Sequence, residues 1–347
     1  MARSHFTRPI AITIGDGAGI GPEIIVRAFA EHADAMRGCF VVGDVALMQR
    51  AAEIIGQARP ELPMPFVEQV EGLDALTLVP PGVLPVLQVG TAWSASELPA
   101  FGQVQARAGE RAAQAVVWAA QAALRHEVAA VVTAPLHKEA LAAAQVPFPG
   151  PTEMLQACAA QHAGVAVSDV PVRMMLANDQ LRTVLVSIHV SLQDAIAAVT
   201  PANVLQTLQI TDAAERRRLG RAPRIGVAGL NPHAGEGGLM GREELDVIIP
   251  TLQQARAMGL DVSGPHAPDT VFMRARNTHD HPGEFDVVVA MYHDQGLIPV
   301  KYLGLEHGVN VTLGLPFVRT SPDHGTAFDV AGTARASCES LLAALAQ

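Results

Sequence analysis

Aromatic residues, cysteines and long apolar runs are all scarce in this sequence. Aromatic side chains make up 4% of the 347 residues, and there are three cysteines. Because these cysteines (Cys39, Cys158 and Cys338) are odd in number and form no Cys-x-x-Cys pair, we expect no structural disulfide and a reducing compartment. No stretch reaches the roughly 18 apolar residues of a membrane span, and the amino terminus lacks the apolar core of a signal peptide. We therefore expect a soluble cytoplasmic protein.

Positive charge is also scarce. The formal net charge of −10 argues against a protein that binds nucleic-acid backbones, which need a basic face. The one basic run, "ERRRLGRAPR" at 215–224, is better explained as a solvated helix end. The length allows two domains, and the composition, 49% hydrophobic and 17% charged, is that of a globular protein.

Short apolar runs alternate with helical patterns along the whole chain. This alternation predicts an α/β protein with mostly parallel strands. The predicted strands are 9–15, 39–44, 128–135, 172–177, 182–189, 224–233 and 286–293, and the clearest helices are 107–126 and 243–259. The strands at 172–177 and 182–189 are close enough to form a hairpin. The proline-rich stretch 58–86 is predicted to be a surface excursion.

Three of the predicted strands end on a histidine. His189 closes "VLVSIH", His233 follows "GLNP" and His293 closes "VVAMYH". Because ligands bind at the carboxyl ends of parallel strands, these imidazoles could converge on a divalent transition metal. The spacing between them carries no metal signal, so the alternative is three unrelated histidines among the thirteen in the chain.

The first strand runs into the glycine-rich loop "GDGAGIGPE" at 15–23. A glycine-rich turn before a helix can cradle a phosphate, but neither the G-x-G-x-x-G spacing nor a P-loop lysine is present. From its spacing, a tight structural turn and a ligand loop are equally supported. Asp44, at the end of the next strand, is only weak support for a ribose-binding acid.

The carboxyl-terminal quarter of the chain carries donors suited to an anion. Lys301, Asn310 and Arg319 are separated by apolar and glycine residues, and arginine offers a bidentate fork to phosphate or carboxylate. The following segment "DHGTAFDVAG" at 323–332 is either a ligand loop rich in backbone amides or a turn into the last helix.

Eight segments together resemble the 4-hydroxythreonine-4-phosphate dehydrogenase family of vitamin B6 synthesis (PdxA). They are "GDGAGIGPE", "VVTAPLHKEAL", "FPGPTEML", "VRMMLA", "GLNPHAGEGGLMGREE", "GPHAPDT", "AMYHDQGLIPVKY" and "GVNVTLGLPFVRTSPDHGTAFDVAG". The resemblance runs through nearly the whole chain in the order of the family. The segment "HGTAFDVAG" is also similar to the cofactor loop of isocitrate and isopropylmalate dehydrogenases.

The resemblance implies an isocitrate/isopropylmalate dehydrogenase-like fold, with two α/β/α domains, mostly parallel sheets and an active-site cleft between them. Residues 1–135 with 303–347 would form the cofactor domain, and residues 136–302 would carry the metal ligands and the dimer interface. It also implies a homodimer that shares the metal site across its interface, NAD or NADP bound without the Rossmann glycines, and a divalent metal (zinc, magnesium or cobalt).

The family pattern also assigns roles to individual residues. The implied metal ligands are His189, His233 and His293, with His189 coming from the partner subunit. The implied substrate ligands are Thr152, Lys301, Asn310 and Arg319. The implied cofactor ligands are His324, Gly325, Thr326 and Ala327. Lys301 and Asp269 are both candidates for the general base, and Asp269 could equally lie beside the metal ligands.

The implied reaction is hydride transfer from a secondary alcohol of 4-phosphohydroxy-L-threonine to NAD(P). The resulting 3-oxo acid would lose carbon dioxide to give 3-amino-2-oxopropyl phosphate, and the metal would stabilise the developing alkoxide. Asp294 is expected to orient His293, although a structural role in its turn is the alternative.

Two positions depart from the family pattern. The chain reads Gly-Pro-Thr-Glu at 150–153, where the family has Gly-His-Thr-Glu, and Pro151 offers neither an imidazole nor a backbone N–H. Gly17 stands where the family usually has proline. The departures open a second reading, in which the substrate is 4-phospho-D-threonate, 4-phospho-D-erythronate or the 1,2-cis-dihydrodiol of terephthalate.

The anion donors bear on this choice. Retention of Lys301, Asn310 and Arg319 favours a phosphorylated substrate over the dihydrodiol. A third reading, an inactive member that acts as a binding protein, is opposed by the three retained histidines.

Overall fold

The computed structural model describes residues 8–304 and 307–347 as two compact units. The first unit ends at Pro171 and resumes at Leu315, and the second is Val172–Gly314. The sequence placed these boundaries at 135/136 and 302/303. Residues 136–171 instead group with the first unit, because the helices in this segment pack on an earlier helix of that unit. Residues 1–7, where the absence of a signal peptide was predicted, lie outside the described residues.

The first unit contains six parallel strands. They are β1 (Ile10–Thr13), β2 (Cys39–Gly43), β3 (Phe66–Val70), β4 (Val83–Gln88), β5 (Ala130–Thr133) and β12 (Val318–Pro322), in the order β3-β4-β2-β1-β5-β12. Every residue of β1 and β2 is buried. Strands covered on both faces read as continuous apolar runs, which is why the sequence revealed them.

Six helices belong to this unit. They are α1 (Gly21–Glu31), α2 (Val45–Ala58), α3 (Ala106–Leu124), α4 (Lys138–Ala143), α5 (Pro151–Ala163) and α11 (Glu339–Ala346), with 3-10 turns at Leu73–Leu78 and Val167–Asp169. Helix α3 confirms the helix predicted at 107–126, and its alanines let α4 and α5 pack closely against it. Asp44 caps α2 by accepting a hydrogen bond from the Leu47 amide, so its carboxylate serves the fold.

The described residues of the second unit, 172–304 and 307–314, form six strands of mixed direction. They are β6 (Arg173–Ala177), β7 (Arg182–Leu185), β8 (Ile225–Ala228), β9 (Val262–His266), β10 (Val287–Ala290) and β11 (Val309–Leu313), in the order β11-β6-β7-β10-β8-β9. The β6–β7 pair is the predicted hairpin, and its turn is closed by the Leu181 amide donating to Asn178. The neighbouring strands β7, β10, β8 and β9 all run in parallel.

The helices of this unit are α6 (Leu192–Ala197), α7 (Pro201–Leu219), α8 (Ile249–Ala257), α9 (Val271–Ala275) and α10 (His293–Tyr302). A 3-10 segment spans Pro232–Gly238, and a π-helical segment at Glu244–Ile248 leads into α8, so the helix predicted at 243–259 is confirmed. The core lies between the sheet and helices α9 and α10, around Phe272, Phe285 and Leu297.

The predicted α/β class with mostly parallel strands is confirmed. The surface excursion predicted at 58–86 is wrong, because this segment contains β3 and the start of β4, which pair in parallel. Its prolines hid the strands, and Pro85 itself lies in β4 opposite Glu68, near the edge of the sheet where a missing N–H is tolerated. Among the described residues, no helix is long and apolar enough to cross a membrane.

Candidate active site

Three neighbouring strands of the second unit are each followed by one of the predicted metal histidines. Strands β7, β10 and β8 lie side by side and run in parallel, so their carboxyl ends share one edge of the sheet. The strands are shorter than predicted, because β7 ends at Leu185, β8 at Ala228 and β10 at Ala290. The histidines therefore sit in the loops after the strands, and His293 is the first residue of α10.

His189 and His293 lie against each other within one chain. Their ring centroids are 5.4 Å apart, with the ring planes tilted by 46°. Two imidazoles that bind one tetrahedral metal at about 2.0 Å have centroids about 5 Å apart, so this spacing suits a shared ion. The expected origin of His189 in a partner subunit is therefore not required by the geometry.

His233 does not complete a compact group with these two. Across residues 8–304 and 307–347, no set of three His, Cys, Asp or Glu side chains that includes the predicted histidines has its ligand atoms within 4.8 Å of one another. The residues alone left open whether the three histidines converge, and the family pattern placed His189 in the partner subunit. In this chain His189 and His293 lie together, and the position of His233 leaves a coordination position to be supplied otherwise.

Asp294 fixes the orientation of the His293 ring. Its Oδ1 lies 2.7 Å from His293 Nδ1, which leaves Nε2 for another ligand. The predicted orienting contact is thus present. Carboxylates in this position set the tautomer and raise the basicity of a metal-binding imidazole.

Backbone strain is concentrated at two of the histidines. His189 has φ of 35° and His233 has φ of 51°, both in the left-handed region that non-glycine residues rarely adopt. From His233 to Gly237, five successive residues have positive φ. Such strain persists where the surroundings over-determine it, and it clusters at functional sites.

The buried carboxylate of Glu244 holds this strained loop. Its Oε1 accepts from the amides of Leu230 and Asn231 at 2.7 and 2.8 Å, and its Oε2 accepts from Asn231 Nδ2 at 2.9 Å. Glu244 is only 1% exposed. Nothing in the local sequence reveals this loop-binding role of Glu244.

The remaining predicted residues of this unit lie on different elements. Lys301 is exposed in the last turn of α10, eight residues and therefore about 12 Å along the axis from His293. Asn310 is half-buried in β11, opposite Leu176. Asp269 is exposed in the turn before α9.

In the first unit, Arg319 is a buried cation. It lies in β12, is 4% exposed and donates to Thr133 Oγ1 from Nη2 at 2.6 Å and from Nε at 3.2 Å. Burial lowers the pKa of Arg319 to about 10, while the negative charge of Glu153 opposes this shift. Glu153 and the predicted substrate ligand Thr152 belong to the first turn of α5, which Pro151 begins. A guanidinium kept charged in a buried place is suited to binding an anion.

The predicted cofactor residues 324–327 pack on the first glycine-rich loop. The carbonyl of Thr326 accepts from the Ile20 amide at 3.1 Å. A Cβ on Gly19 would lie 2.9 Å from this carbonyl, so only glycine permits the approach. His324 Nδ1 lies 3.0 Å from the Gly325 carbonyl, and Ala327 has a left-handed φ of 41°.

Two acids of the first loop have roles that the sequence did not reveal. Glu23, 1% exposed, accepts from the amides of Gly332 and Ala334 at 2.5 and 2.9 Å, so it clamps the two loops together. Asp16 is fully buried, and its Oδ1 accepts from the Ala18 amide while its Oδ2 has no hydrogen-bond partner among the described residues. Burial raises the pKa of Asp16, against the opposing effects of that amide and of His137.

Comparison with known proteins agrees with the resemblance. The chain matches the family model described as "Pyridoxal phosphate biosynthetic protein PdxA" over residues 35–347. A 4-hydroxythreonine-4-phosphate dehydrogenase of Beijerinckia indica subsp. indica is 49% identical over 334 residues, which are 96% of this chain and 92% of that protein. A D-threonate 4-phosphate dehydrogenase of Salmonella typhimurium is 43% identical over 337 residues, which are 96% of each chain.

Two solved structures are similar over nearly the whole chain. The crystal structure of a 4-hydroxythreonine-4-phosphate dehydrogenase from Klebsiella pneumoniae has a TM-score of 0.83 and 39% identity, and the match covers 99% of this chain and 98% of that one. A terephthalate 1,2-cis-dihydrodiol dehydrogenase from Burkholderia xenovorans has a TM-score of 0.64 and 30% identity, with 96% and 95% covered.

Proposed function

The chain belongs to the PdxA family of pyridoxal phosphate biosynthetic proteins, and we propose that it oxidises a phosphorylated hydroxy acid with NAD or NADP and a divalent metal. It is a dehydrogenase acting on a CH–OH group, as its relatives are named. Our leading substrate is 4-phosphohydroxy-L-threonine, whose 3-oxo product would decarboxylate to 3-amino-2-oxopropyl phosphate. The observation that carries the proposal is the pair of imidazoles after β7 and β10, 5.4 Å apart.

The donor set fits a divalent metal. His189 and His293 face one another, and His293 Nδ1 is held by Asp294, so Nε2 is left to bind the ion. When bound, a divalent metal such as zinc, magnesium or cobalt supplies Lewis-acid polarisation of the alcohol oxygen. His233 is proposed as the third ligand, and its strained backbone is consistent with a residue held for function.

The anion donors are proposed to orient the substrate. Arg319, anchored on Thr133, is proposed to attract a phosphate or carboxylate of the substrate, while Lys301, Asn310 and Thr152 are proposed as further ligands. A substrate held in one orientation would point its C–H bond at the nicotinamide, and such alignment of reacting groups increases the rate. A nicotinamide held by residues 324–327 would accept the hydride, and Lys301 and Asp269 both remain candidates for the base that would take the hydroxyl proton.

The loop 323–332 is proposed to bind the nicotinamide cofactor through His324, Gly325, Thr326 and Ala327. Glu23 and the close approach of Gly19 hold this loop in place, so its backbone amides are pre-organised. Phe328 of the loop stacks on His137, with centroids 4.5 Å apart. These contacts support a rigid ligand loop rather than a simple turn.

We also propose the expected homodimer. Large apolar side chains of the second unit are strongly exposed, among them Leu239 (84%), Tyr302 (90%) and Ile298 (61%). Leu239 directly follows the His233 loop, and the other two are on the helix that His293 begins. We propose that these side chains lie in the interface between two copies, and that the second copy supplies the missing coordination position.

A second substrate is favoured by one residue. Pro151 stands at the start of α5 in place of the family histidine, and a 43% identical relative is named for D-threonate 4-phosphate. We propose that the altered contact beside Thr152 changes whether the site accepts a substrate with an amine or one with a hydroxyl. The second candidate is therefore oxidation of 4-phospho-D-threonate by the same residues.

The test is NADH or NADPH formation by the purified protein, with each substrate offered separately. The compounds are 4-phosphohydroxy-L-threonine, 4-phospho-D-threonate, 4-phospho-D-erythronate and the terephthalate dihydrodiol, each with and without a chelator. Chelator-sensitive turnover of the first alone supports the leading proposal, and turnover of the second alone supports the other candidate. Failure of all phosphorylated compounds with a metal-loaded protein would overturn both.

A further inference from the structure

Three donor side chains of different chemistry meet where α1 ends and α11 begins. Glu31 is the last residue of α1, His32 caps that helix and Cys338 directly precedes α11. One carboxylate oxygen, one imidazole nitrogen and the thiol sulfur all lie within 4.8 Å of one another. Among the residues that the structure describes, this is the one such group of His, Cys, Asp and Glu side chains, and the proposed catalytic histidines are not part of it.

The two oxygens of Glu31 face different partners. Oε1 accepts from Arg27 Nη2 at 2.8 Å, and Arg59 approaches the same atom at 3.9 Å. Oε2 lies 3.9 Å from Cys338 Sγ. Both arginines thus approach the oxygen that faces away from the thiol, and Oε2 is directed toward the group of donors.

Arg27 also fixes the geometry of the two helices. In addition to Glu31, it donates to the carbonyl of Ala336, two residues before Cys338. The segment that leads into α11 is therefore held against the end of α1 by the same side chain that orients the carboxylate. Glu31 and Cys338 are therefore positioned by contacts within the fold.

Glu339 lies next to this group without belonging to it, with its Oε1 3.9 Å from His32 Nε2. Ligands of one tetrahedral zinc, with bond lengths of about 2.0–2.3 Å, are about 3.3–3.8 Å apart, so the 3.9 Å between Glu31 Oε2 and Cys338 Sγ requires a movement of only a few tenths of an ångström. Cys338 is 1% exposed, whereas the side chains of His32 and Glu339 are 41% and 48% exposed, so an ion can enter from solvent.

We propose that Glu31, His32 and Cys338 bind one zinc ion, or a similar borderline-soft divalent cation, at a site separate from the proposed catalytic histidines, with water in the remaining position. Thiolate and imidazole donors select zinc over the hard cations that carboxylates alone would bind. The ion would join the ends of α1 and α11 and so fasten the final helix to the first unit. Because it binds the folded chain, it would also raise the melting temperature.

The test uses cobalt as the probe on metal-free full-length protein. Cobalt bound to a thiolate has a sulfur-to-metal charge-transfer absorption in the near ultraviolet, which a site of histidines and carboxylates does not give. We expect this band to saturate at one cobalt per chain, to disappear in Cys338→Ser and to persist in Cys158→Ser, the matched control. It should also persist in His293→Ala, so the result is independent of the proposed catalytic site.

A second variant guards against misfolding of Cys338→Ser. His32 is exposed at the helix end, so His32→Ala should fold normally and weaken cobalt binding by about tenfold or more while the band remains at saturation. A protein without the charge-transfer band, or with the same band after Cys338→Ser, would overturn the proposal. Equal cobalt affinity of His32→Ala and the unmodified protein would exclude His32 from the site.

Discussion

The imidazole rings of His189 and His293 lie 5.4 Å apart at the ends of two paired parallel strands. The register of β7 and β10 places Leu185 beside Ala290, so the two strands end at the same level of the sheet. His189 then turns back through a left-handed residue, and His293 begins α10. Strand register therefore brings the two imidazole rings together.

Removal of one ring should abolish metal-dependent turnover. We expect His293→Ala to lower kcat/KM by at least about 100-fold, because the ion loses a ligand and its place beside the substrate. Metal content after gel filtration and initial rates of NADH formation would check this. The matched control is His279→Ala, whose side chain is 98% exposed and should leave both quantities unchanged.

The proposed metal role of His293 would be refuted by one specific result. If His293→Ala kept its metal content and its chelator-sensitive turnover, the ion would be bound elsewhere. Added imidazole offers a further check, since it could restore part of the activity to a variant that lacks only a ligand.

Replacement of the buried arginine should affect substrate binding more than folding. Arg319→Lys keeps a cation but loses the fork anchored on Thr133, so we expect KM for the phosphorylated substrate to rise about tenfold or more. The melting temperature should fall only modestly. Steady-state kinetics with Arg217→Lys, a change at an exposed arginine, as control would check this, and an unchanged KM would remove Arg319 from the substrate site.

The meeting of His189 and His293 was indicated by one rule. Parallel strands end at a common edge, so histidines that follow buried runs could converge there, although the family pattern placed His189 in the partner subunit and His233 does not join the pair. The ends of these strands were overestimated, since the polar residues after Leu185, Ala228 and Ala290 form loops rather than sheet. Apolar periodicity reports burial, and it does not report where ladder hydrogen bonds stop.

Other features depend on contacts between distant segments and left no local signal. Glu23 binds the amide of Gly332, 309 residues later, and in the sequence it reads only as an acid near a helix start. Strand β4 was missed because Pro85 interrupts it, and β3 was missed because its short run Phe66–Val70 lies in a proline-rich stretch. Packing alone decides that Glu23 holds two loops together and that Asp16 Oδ2 has no hydrogen-bond partner among the described residues.

Restoration of the family histidine should reveal what Pro151 does. Proline at the first turn of α5 stabilises the helix start but gives the substrate no donor. If 4-phosphohydroxy-L-threonine is the substrate, Pro151→His should raise kcat/KM for it by several-fold, since a contact worth about 1 kcal/mol is gained. If 4-phospho-D-threonate is preferred, the same change should lower turnover of that compound, and Pro147→His, a loop change outside this helix, is the control.

In the second unit, the carboxylate of Asp286 binds two arginines, Arg221 and Arg224. Burial disfavours ionisation of Asp286, but hydrogen bonds from Arg221 and Arg224 outweigh it and hold the pKa of this carboxyl well below its ordinary range. The pair with Arg221 is bidentate, with both contacts at 2.8 Å. Since the folded state favours the charged form, these contacts stabilise the protein above the unfolded pKa of about 4.

Asp286→Asn keeps the shape and one acceptor oxygen but removes the charge. We expect this substitution to lower the free energy of unfolding by about 1 kcal/mol at neutral pH. The effect is smaller than for a buried ion pair, because solvent surrounds the exposed arginines. The difference from the unmodified protein should shrink as pH falls below about 4, where the aspartate of the unfolded chain is protonated and its advantage in the folded state is lost. Urea unfolding at several pH values would measure it, and a difference that stayed constant down to strongly acidic pH would show that the charge is not its source.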